Sequence, residues 1–357
     1  MVPLLAASLL FTDESGTILG LGRQFATRVS LRACVPAWSA HIDDPAERLP
    51  VGTLGAFGTS KQVESSFLER PFLPLFVLLM SLALSASLPA QHAGERIKSV
   101  AYARVGGSPL YFDAQIPEGS GPFPAAIIVH GGGWVRGDRL TEVQPLFAPL
   151  TKAGFAWFSI DYRLSDDWTQ FGAAIEDVEN AVRFVKAHAV QYRIDPDRIA
   201  LVGESAGGQL AAMAALNAKG GTRVNAVVAL YTPTDLVDLA KSSRLVPQQL
   251  RESVRGTPFE LLMMARLRQL SPLYNVKPDA PPFLLIHGTA DRLVPFAQSE
   301  AMCNRMKGNG ASCELYGVEG AGHGIRWWEG SRPHASAGYK EKLVSWLRSH
   351  LPTSSST

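Results

Sequence analysis

From residue 97 onward, apolar runs that predict strands alternate with segments that carry a helical apolar stripe. The run Phe123–Val129 is apolar at almost every position, which is typical of a strand buried on both faces. In Gly172–Ala189, by contrast, apolar residues recur every three or four positions, which predicts a helix with one buried face. This alternation predicts an α/β protein whose mostly parallel central sheet is covered by helices on both faces.

The same patterns predict the remaining elements. Further strands are predicted at Ser99–Val105, Leu110–Ile116, Phe155–Ile160, Arg198–Val202, Val224–Leu230, Phe283–Ile286 and Glu314–Val318. Further helices are predicted at Ser205–Lys219, Phe296–Lys307 and Ser336–His350. Asp195-Pro196-Asp197 predicts a turn, and Leu236–Leu270 predicts one or two helices that form a small helical cap on the sheet.

The first part of the chain has a different pattern. Residues 1–62 sustain neither helical nor strand periodicity, which predicts a non-native or disordered extension. Residues 63–94 contain Arg70, a short apolar stretch and then small residues, which is the pattern of a secretory signal peptide and linker. A membrane anchor and a buried core helix are the alternatives, and Pro71 and Pro74 disfavour the helix.

Residues 95–351 make up the predicted α/β domain, and residues 352–357 a disordered tail. The internal position of the signal pattern predicts that translation starts downstream of Met1. Its apolar stretch is shorter than the roughly 20 residues that span a bilayer, so we expect no stable membrane anchor. If the segment is used as a signal, the protein is secreted or periplasmic.

A candidate nucleophile lies in Gly203-Glu204-Ser205-Ala206-Gly207, which matches G-x-S-x-G between a predicted strand and a predicted helix. Such a sharp turn raises the serine hydroxyl above the sheet and requires small residues on either side. The alternative is a glycine turn in which Ser205 is only a helix N-cap. The strand and helix that flank the motif favour the nucleophile.

Candidate oxyanion donors follow an earlier buried strand, in His130-Gly131-Gly132-Gly133-Trp134. Consecutive glycines leave backbone N–H groups unshielded and free to point at a substrate oxygen. A flexible turn is the alternative. His130 is interpreted as a structural residue that holds this loop.

An activated serine needs a base and an orienting acid. His323, in a glycine-rich loop after the last predicted strand, is the favoured base over His287 and His334. Asp291 follows the penultimate strand and is the favoured acid. Asp235 and Asp238, after an earlier strand, remain rivals.

Composition excludes several classes. Lys+Arg total 34 and Asp+Glu 32, so no basic excess is available to hold a nucleic acid. The three cysteines form no CxxC pair and no HExxH is present, so no metal and no organic cofactor is implied. Cys303 and Cys313 flank one turn between a predicted helix and a predicted strand. They are expected either to form a disulfide, which export would favour, or to remain two thiols.

Together these motifs resemble the α/β-hydrolase superfamily, and within it the hormone-sensitive-lipase-like and related microbial carboxylesterases, including feruloyl-type esterases. The likeness covers about residues 97–350. It is carried by His130-Gly131-Gly132-Gly133-Trp134, Asp161-Tyr162-Arg163-Leu164, Gly203-Glu204-Ser205-Ala206-Gly207-Gly208, His287-Gly288-Thr289-Ala290-Asp291 and Gly322-His323-Gly324. The resemblance implies an α/β-hydrolase fold, a triad of Ser205, Asp291 and His323, and an oxyanion hole from the amides of Gly132, Gly133 and Ala206.

The expected function is hydrolysis of small acyl or aromatic carboxylic esters, with a small-molecule ester as the substrate partner. Trp134, Tyr231 and Trp327 are candidate substrate-binding residues, and packing at the rim of the site is their alternative role. A serine peptidase or arylformamidase with the same triad is a rival function. A catalytically silent binding protein is the other rival.

Overall fold

The computed structural model describes residues 94–165, 171–242, 252–253, 255–331 and 338–351. The chain divides into two units, Met1–Pro71 and Phe72–Thr357, and every described residue belongs to the second. The predicted extension, the predicted signal segment apart from Gly94, and the predicted tail lie outside the described residues. Among the residues described, no helix is both long and apolar enough to cross a membrane.

Eight strands form one sheet in the order β1-β2-β4-β3-β5-β6-β7-β8. Their bounds are β1 Glu95–Val105, β2 Ser108–Ile116, β3 Phe123–Val129, β4 Ala156–Ile160, β5 Ile194–Glu204, β6 Ala226–Leu230, β7 Phe283–Gly288 and β8 Cys313–Val318. β1 and β2 pair antiparallel, β2 pairs antiparallel with β4, and every later pairing is parallel. The mostly parallel sheet is therefore confirmed.

Helices occupy the connections between the strands. Their bounds are α1 Gln144–Lys152, α2 Phe171–Ala187, α3 Ser205–Asn217, α4 Leu236–Ser242, α5 Pro258–Gln269, α6 Ala297–Gly308, α7 Ile325–Ser331 and α8 Gly338–His350. Short 3-10 turns lie at Gly220–Thr222 and Pro272–Tyr274. α4 and α5 occupy the region for which the helical cap was predicted.

Each face of the sheet carries its own apolar layer. Along β3, Ala125, Ile127 and Val129 belong to one layer and Ala126 and Ile128 to the other, because successive side chains of a strand point to opposite faces. Helices α2, α3 and α6 contribute to the first layer, and α1 and α8 to the second. Helix α3 is buried along almost its whole length, which explains why it is rich in alanine rather than amphipathic.

One local prediction is wrong. The turn expected at Asp195-Pro196-Asp197 lies inside β5. The register of β3 against β5 shifts there, since Phe123 pairs with Ile194 and Ala125 with Ile199, so the extra residues form a bulge. Arg198 Nε donates to Asp195 Oδ2 at 2.8 Å across this bulge. The residues predicted to form a turn before the strand therefore form a bulge within it.

A disulfide joins Cys303 of α6 to Cys313 of β8, with 5.3 Å between their Cα atoms. It lies between the segment that carries Asp291 and the segment that carries His323. Of the two states expected from sequence, the structure has the bridge.

The bridge predicts that neither Cys303 nor Cys313 reacts with an alkylating reagent in denaturant until the protein is reduced. The Cys303→Ala/Cys313→Ala double variant is expected to lose about 3 kcal/mol of unfolding free energy, the size for a loop of this length. Mass spectrometry of alkylated peptides and denaturant unfolding measure the two effects. Two reactive thiols in the non-reduced protein would contradict the bridge.

Candidate active site

Ser205 stands at the sharp turn between β5 and α3. Its φ of 49° lies in the left-handed region, which a non-glycine residue adopts only when its surroundings enforce it. The neighbouring glycines permit this turn. A Cβ on Gly203 would lie 2.4 Å from the Gly207 carbonyl oxygen, and one on Gly207 would lie 2.2 Å from that of His130. The strand-to-helix turn predicted from G-x-S-x-G is therefore present.

His323 connects Ser205 to Asp291. Its Nε2 lies 2.9 Å from Ser205 Oγ, and its Nδ1 lies 2.7 Å from Asp291 Oδ2. A carboxylate oxygen accepts, so Nδ1 carries the proton and Nε2 is left to accept the hydrogen of the serine. Three side chains that are far apart in the sequence thus form one continuous hydrogen-bonded chain.

The Asp291 side chain is fully buried, and both of its carboxylate oxygens accept hydrogen bonds. Oδ1 accepts from the amides of Leu293 at 2.8 Å and Val294 at 2.9 Å. Oδ2 faces His323 and also His287 Nε2, at 3.3 Å. Burial acts to raise the pKa of Asp291, but the hydrogen bonds from His287 and His323 outweigh it and hold the pKa well below its usual range. The Asp291 carboxylate of the folded protein is therefore ionised near neutral pH.

The described rivals, Asp235, Asp238 and His287, have hydrogen-bond partners other than Ser205 and His323. Asp235 Oδ1 accepts from the amides of Val237 and Asp238 at the start of α4, and its Oδ2 accepts from the Tyr274 hydroxyl. Asp238 Oδ2 accepts from Gln298 Nε2 at 3.1 Å. His287 is buried with Ser299 and Val294 as hydrogen-bond partners, as the sequence interpretation of a packed strand-end residue expected. His334 lies outside the described residues.

Backbone contacts hold the acid and base segments together. The Ala290 amide donates to the Ala321 carbonyl at 3.0 Å, and the Gly320 amide donates to Thr289 Oγ1 at 2.8 Å. A Cβ on Gly288 would lie 2.3 Å from the Ala321 oxygen, so this close approach requires glycine. These contacts keep the segments that carry Asp291 and His323 side by side.

The loop after β3 carries the predicted oxyanion donors. Gly132, Gly133 and Trp134 all have positive φ values, of 108°, 63° and 66°. Within the described residues, no hydrogen bond joins the Gly132 or Gly133 amide to a protein acceptor. The Ala206 amide lies in the first turn of α3, where backbone donors have no intrahelical acceptor.

Two aromatic side chains hold the other side of this loop. The Tyr162 hydroxyl donates to the carbonyls of His130 and Gly131, at 3.1 and 3.2 Å. His130 stacks on the Tyr162 ring, and its Nδ1 donates to the Gly131 carbonyl at 2.7 Å. Because a trans peptide points its C=O and N–H in opposite directions, the Gly132 N–H faces away from these groups. Burial lowers the pKa of His130, and its contacts with Tyr162 and Gly131 are those of a residue that holds the loop, as the sequence interpretation expected.

The three predicted substrate-binding aromatics occupy different environments. The Trp134 indole is 9% exposed, and its Nε1 donates to Gln209 Oε1 at 2.9 Å. Trp327 lies on α7 and is 63% exposed, and its contact with substrate stays a prediction. Tyr231 is 1% exposed and its ring meets the His323 ring edge-on, with 4.7 Å between centroids. The buried Tyr231 ring therefore packs against the His323 imidazole. Its burial argues against a direct contact with substrate.

The motif analysis missed Glu204, the second residue of G-x-S-x-G. Its side chain is buried, and its Oε1 accepts from the Gly131 amide at 3.0 Å. Its Oε2 accepts from the Tyr231 hydroxyl. The second position of this motif carries no side-chain requirement for the turn itself, so the sequence offered no signal for this role beyond an acid beside a nucleophile.

The arrangement places a hydroxyl nucleophile, Ser205, next to a base, His323. An acid, Asp291, lies on the other side of the imidazole, and backbone donors follow β3. Such a set is suited to attack on a carbonyl carbon, with proton transfer to the imidazole. Among the described residues, no group of three or more His, Cys, Asp or Glu side chains is placed to hold a metal ion.

Comparison with known proteins identifies the family. Residues 112–306, more than half of the chain, match the family model BD-FAE. This range contains Ser205 and Asp291 but ends before His323.

Among curated proteins, the chain is 32% identical to "Probable carboxylic ester hydrolase LipM" of Mycobacterium tuberculosis over 200 residues, which are 53% of this chain and 46% of that protein. It is also 32% identical to "Esterase LipC" of the same organism over 232 residues, 60% of this chain and 56% of that protein. The chain thus spans about half the length of these relatives.

Solved structures have the same fold. A "Truncated form of carbohydrate esterase from gut microbiota" superposes with a TM-score of 0.59 at 26% identity, covering 73% of this chain and 98% of that one. Esterase 2 of Thermogutta terrifontis gives a TM-score of 0.58 at 24% identity, covering 75% and 98%. With the mostly parallel sheet, the strand-to-helix turn at Ser205 and the family match, the resemblance drawn from the motifs is confirmed. The chain belongs to the BD-FAE family and has the α/β-hydrolase fold.

Proposed function

We propose that the protein is a serine carboxylesterase that hydrolyses small acyl or aromatic carboxylic esters through an acyl-enzyme. The observation that carries the proposal is the hydrogen-bonded chain from Ser205 Oγ through His323 to Asp291, with links of 2.9 and 2.7 Å. These lengths fall in the range required for direct proton transfer between a nucleophile and its base. The names of the curated relatives, a carboxylic ester hydrolase and an esterase, support the same reaction class.

The mechanism follows from these positions. His323 Nε2 takes the Ser205 proton as Oγ attacks the ester carbonyl carbon, and the carbonyl oxygen becomes an oxyanion. The amides of Gly132, Gly133 and Ala206 stabilise that charge, with about 3 kcal/mol for each donor as the usual magnitude. The imidazolium then returns its proton to the leaving alcohol. Water, activated by the same imidazole, releases the acid and restores Ser205.

Asp291 acts on the imidazole and stays ionised. Its carboxylate fixes the tautomer with the proton on Nδ1 and stabilises the imidazolium formed during attack. The backbone amides of Leu293 and Val294 hold one oxygen in place, so the other keeps its position toward His323.

The preference for small acyl or aromatic groups rests on the aromatic side chains beside the site. Trp134 follows the oxyanion glycines directly, and Trp327 is largely exposed on α7, four residues after His323. The exposed indole of Trp327 offers a flat apolar surface that suits an aromatic or short acyl group.

A substrate panel tests the proposal. p-Nitrophenyl esters from acetate to palmitate, a feruloyl ester and an acetylated xylan are compared with an aminoacyl anilide and an N-formyl arylamine. We expect turnover of the short and aromatic esters, and none in the Ser205→Ala variant. Cleavage of the amides in preference to the esters would indicate a peptidase or arylformamidase. Silence of the wild-type protein on every substrate would favour a binding protein.

We also propose that the protein is exported through its internal signal segment to the periplasm or medium. The Cys303–Cys313 disulfide supports this location, since such bonds persist in oxidising compartments. N-terminal sequencing of the protein recovered from cell fractions tests it, and we expect cleavage near Ala90. Full-length protein confined to the cytoplasmic fraction would contradict export.

A further inference from the structure

Glu204 is a buried carboxylate without a cationic side chain to balance it. It is 4% exposed, and no Lys or Arg of the described residues forms an ion pair with it. Instead, two donors point at its two oxygens, namely the Gly131 amide at 3.0 Å and the Tyr231 hydroxyl. Burying a charge costs free energy unless the charge is hydrogen-bonded. The two donors therefore favour a side chain here whose two oxygens both accept hydrogen bonds.

Tyr231 extends the contact to the segment that carries the base. Its hydroxyl accepts from the Ile325 amide at 3.1 Å, so its own hydrogen is left for Glu204. Its ring lies edge-on to His323 and to Trp328, whose Nε1 donates to the Gly322 carbonyl at 2.7 Å. Glu204 is therefore linked to the oxyanion loop on one side and to the histidine segment on the other.

Resting on the proposed esterase function, we propose that Glu204 and Tyr231 are positioning residues of this site. The Glu204 carboxylate holds the oxyanion loop through Gly131 and the His323 segment through Tyr231. Its negative charge also stabilises the His323 imidazolium that forms when Ser205 loses its proton. Neither residue touches the substrate.

The surrounding charges favour this assignment. The titratable groups that interact electrostatically with Glu204 are Tyr231, His323, Glu142, Tyr162 and Tyr339. Of these, His323 is the one that becomes a cation, and Glu142 carries a like charge. Burial raises the pKa of Glu204 above its usual range, and the hydrogen bonds from Tyr231 and Gly131 and the charge of His323 offset this only in part.

Glu204→Gln is the informative substitution because it keeps the shape and removes the charge. The glutamine side chain has one acceptor oxygen and one donor NH₂ group. Its NH₂ group must therefore lie against either the Gly131 amide or the Tyr231 hydroxyl, each of which donates to Glu204 in the wild type. We expect kcat on a short p-nitrophenyl ester to fall about 10- to 100-fold, the effect of one charge-assisted hydrogen bond. KM is expected to stay near the wild-type value. The acidic midpoint of the kcat/KM profile should move to lower pH, because the imidazolium loses a stabilising charge.

Two further variants separate positioning from folding. Glu204→Asp keeps the charge and is expected to return the acidic midpoint toward wild type. Glu142→Gln removes a neighbouring carboxylate that contacts neither Gly131 nor Tyr231, and is expected to leave kcat within about twofold, as surface charge changes usually do. If Glu204→Gln does not fold, Tyr231→Phe tests the same link, with a lower kcat and an unchanged KM expected.

The histidine titration is followed in parallel by NMR of the resting proteins, which needs no turnover. The proposal is overturned if Glu204→Gln changes only the melting temperature and leaves kcat, the acidic midpoint and the His323 titration at wild-type values. An inactive wild-type protein would refute the esterase function instead, and the NMR titration would still test the charge effect of Glu204.

Discussion

Replacing Ser205 by alanine is expected to lower kcat on a p-nitrophenyl ester by about 10⁶-fold, the usual loss when a triad serine is removed. The substitution deletes the hydroxyl oxygen that lies 2.9 Å from His323 Nε2, and so removes the covalent route. Among the described residues, the Ser205 hydroxyl has His323 as its hydrogen-bond partner, so the substitution removes one partly buried hydrogen bond from the fold. The melting temperature should therefore remain close to that of the wild type, as measured by circular dichroism.

Ser345→Ala provides the matched control. Its hydroxyl donates to the Lys342 carbonyl on the exposed side of α8, so the same chemical change is made far from His323. Activity at the wild-type level is expected. A Ser205→Ala variant that retains a substantial fraction of wild-type kcat would refute the nucleophile.

Asp291→Asn is expected to lower kcat by about 10⁴-fold, which is the loss typical of this change at a triad acid. Two backbone amides, from Leu293 and Val294, require an acceptor at the Oδ1 position. The new amide nitrogen must then take the Oδ2 position and present its hydrogens to His323. That favours the tautomer with the proton on Nε2, which cannot accept from Ser205.

Asp235→Asn discriminates between the two candidate acids. Asp235 accepts from the start of α4 and from Tyr274, so its loss is expected to affect stability by about 1 kcal/mol and kcat little. Steady-state kinetics of both variants decide the matter. A crippled Asp235→Asn beside a nearly normal Asp291→Asn would reverse the assignment of the acid.

Those parts of the fold and the site that depend on local pattern could be predicted from the sequence. The apolar run Phe123–Val129 is β3 to the residue, because a strand buried on both faces needs no polar position. Ser205 could be placed because the turn geometry itself demands glycines at fixed positions around it. The Cys303–Cys313 contact could be anticipated because a helix and the strand after it are neighbours in this architecture.

What could not be predicted depends on contacts between distant segments. Asp291 and Asp235 both follow strands, and only the approach of Gly288 to Ala321 brings the first one to His323. Glu204 acquires its role through Gly131 and Tyr231, which lie 73 and 27 residues away. Helix α7 has seven residues, too few for a periodic pattern to emerge.

Labelling with a fluorophosphonate, followed by intact-protein mass spectrometry and peptide mapping, tests the central claim most directly. These reagents react with a serine only when a neighbouring base activates it. The account predicts one adduct per chain, located at Ser205, with esterase activity lost in proportion to labelling and no adduct in Ser205→Ala. An adduct at any other residue, or an unlabelled protein that still turns over ester, would contradict it.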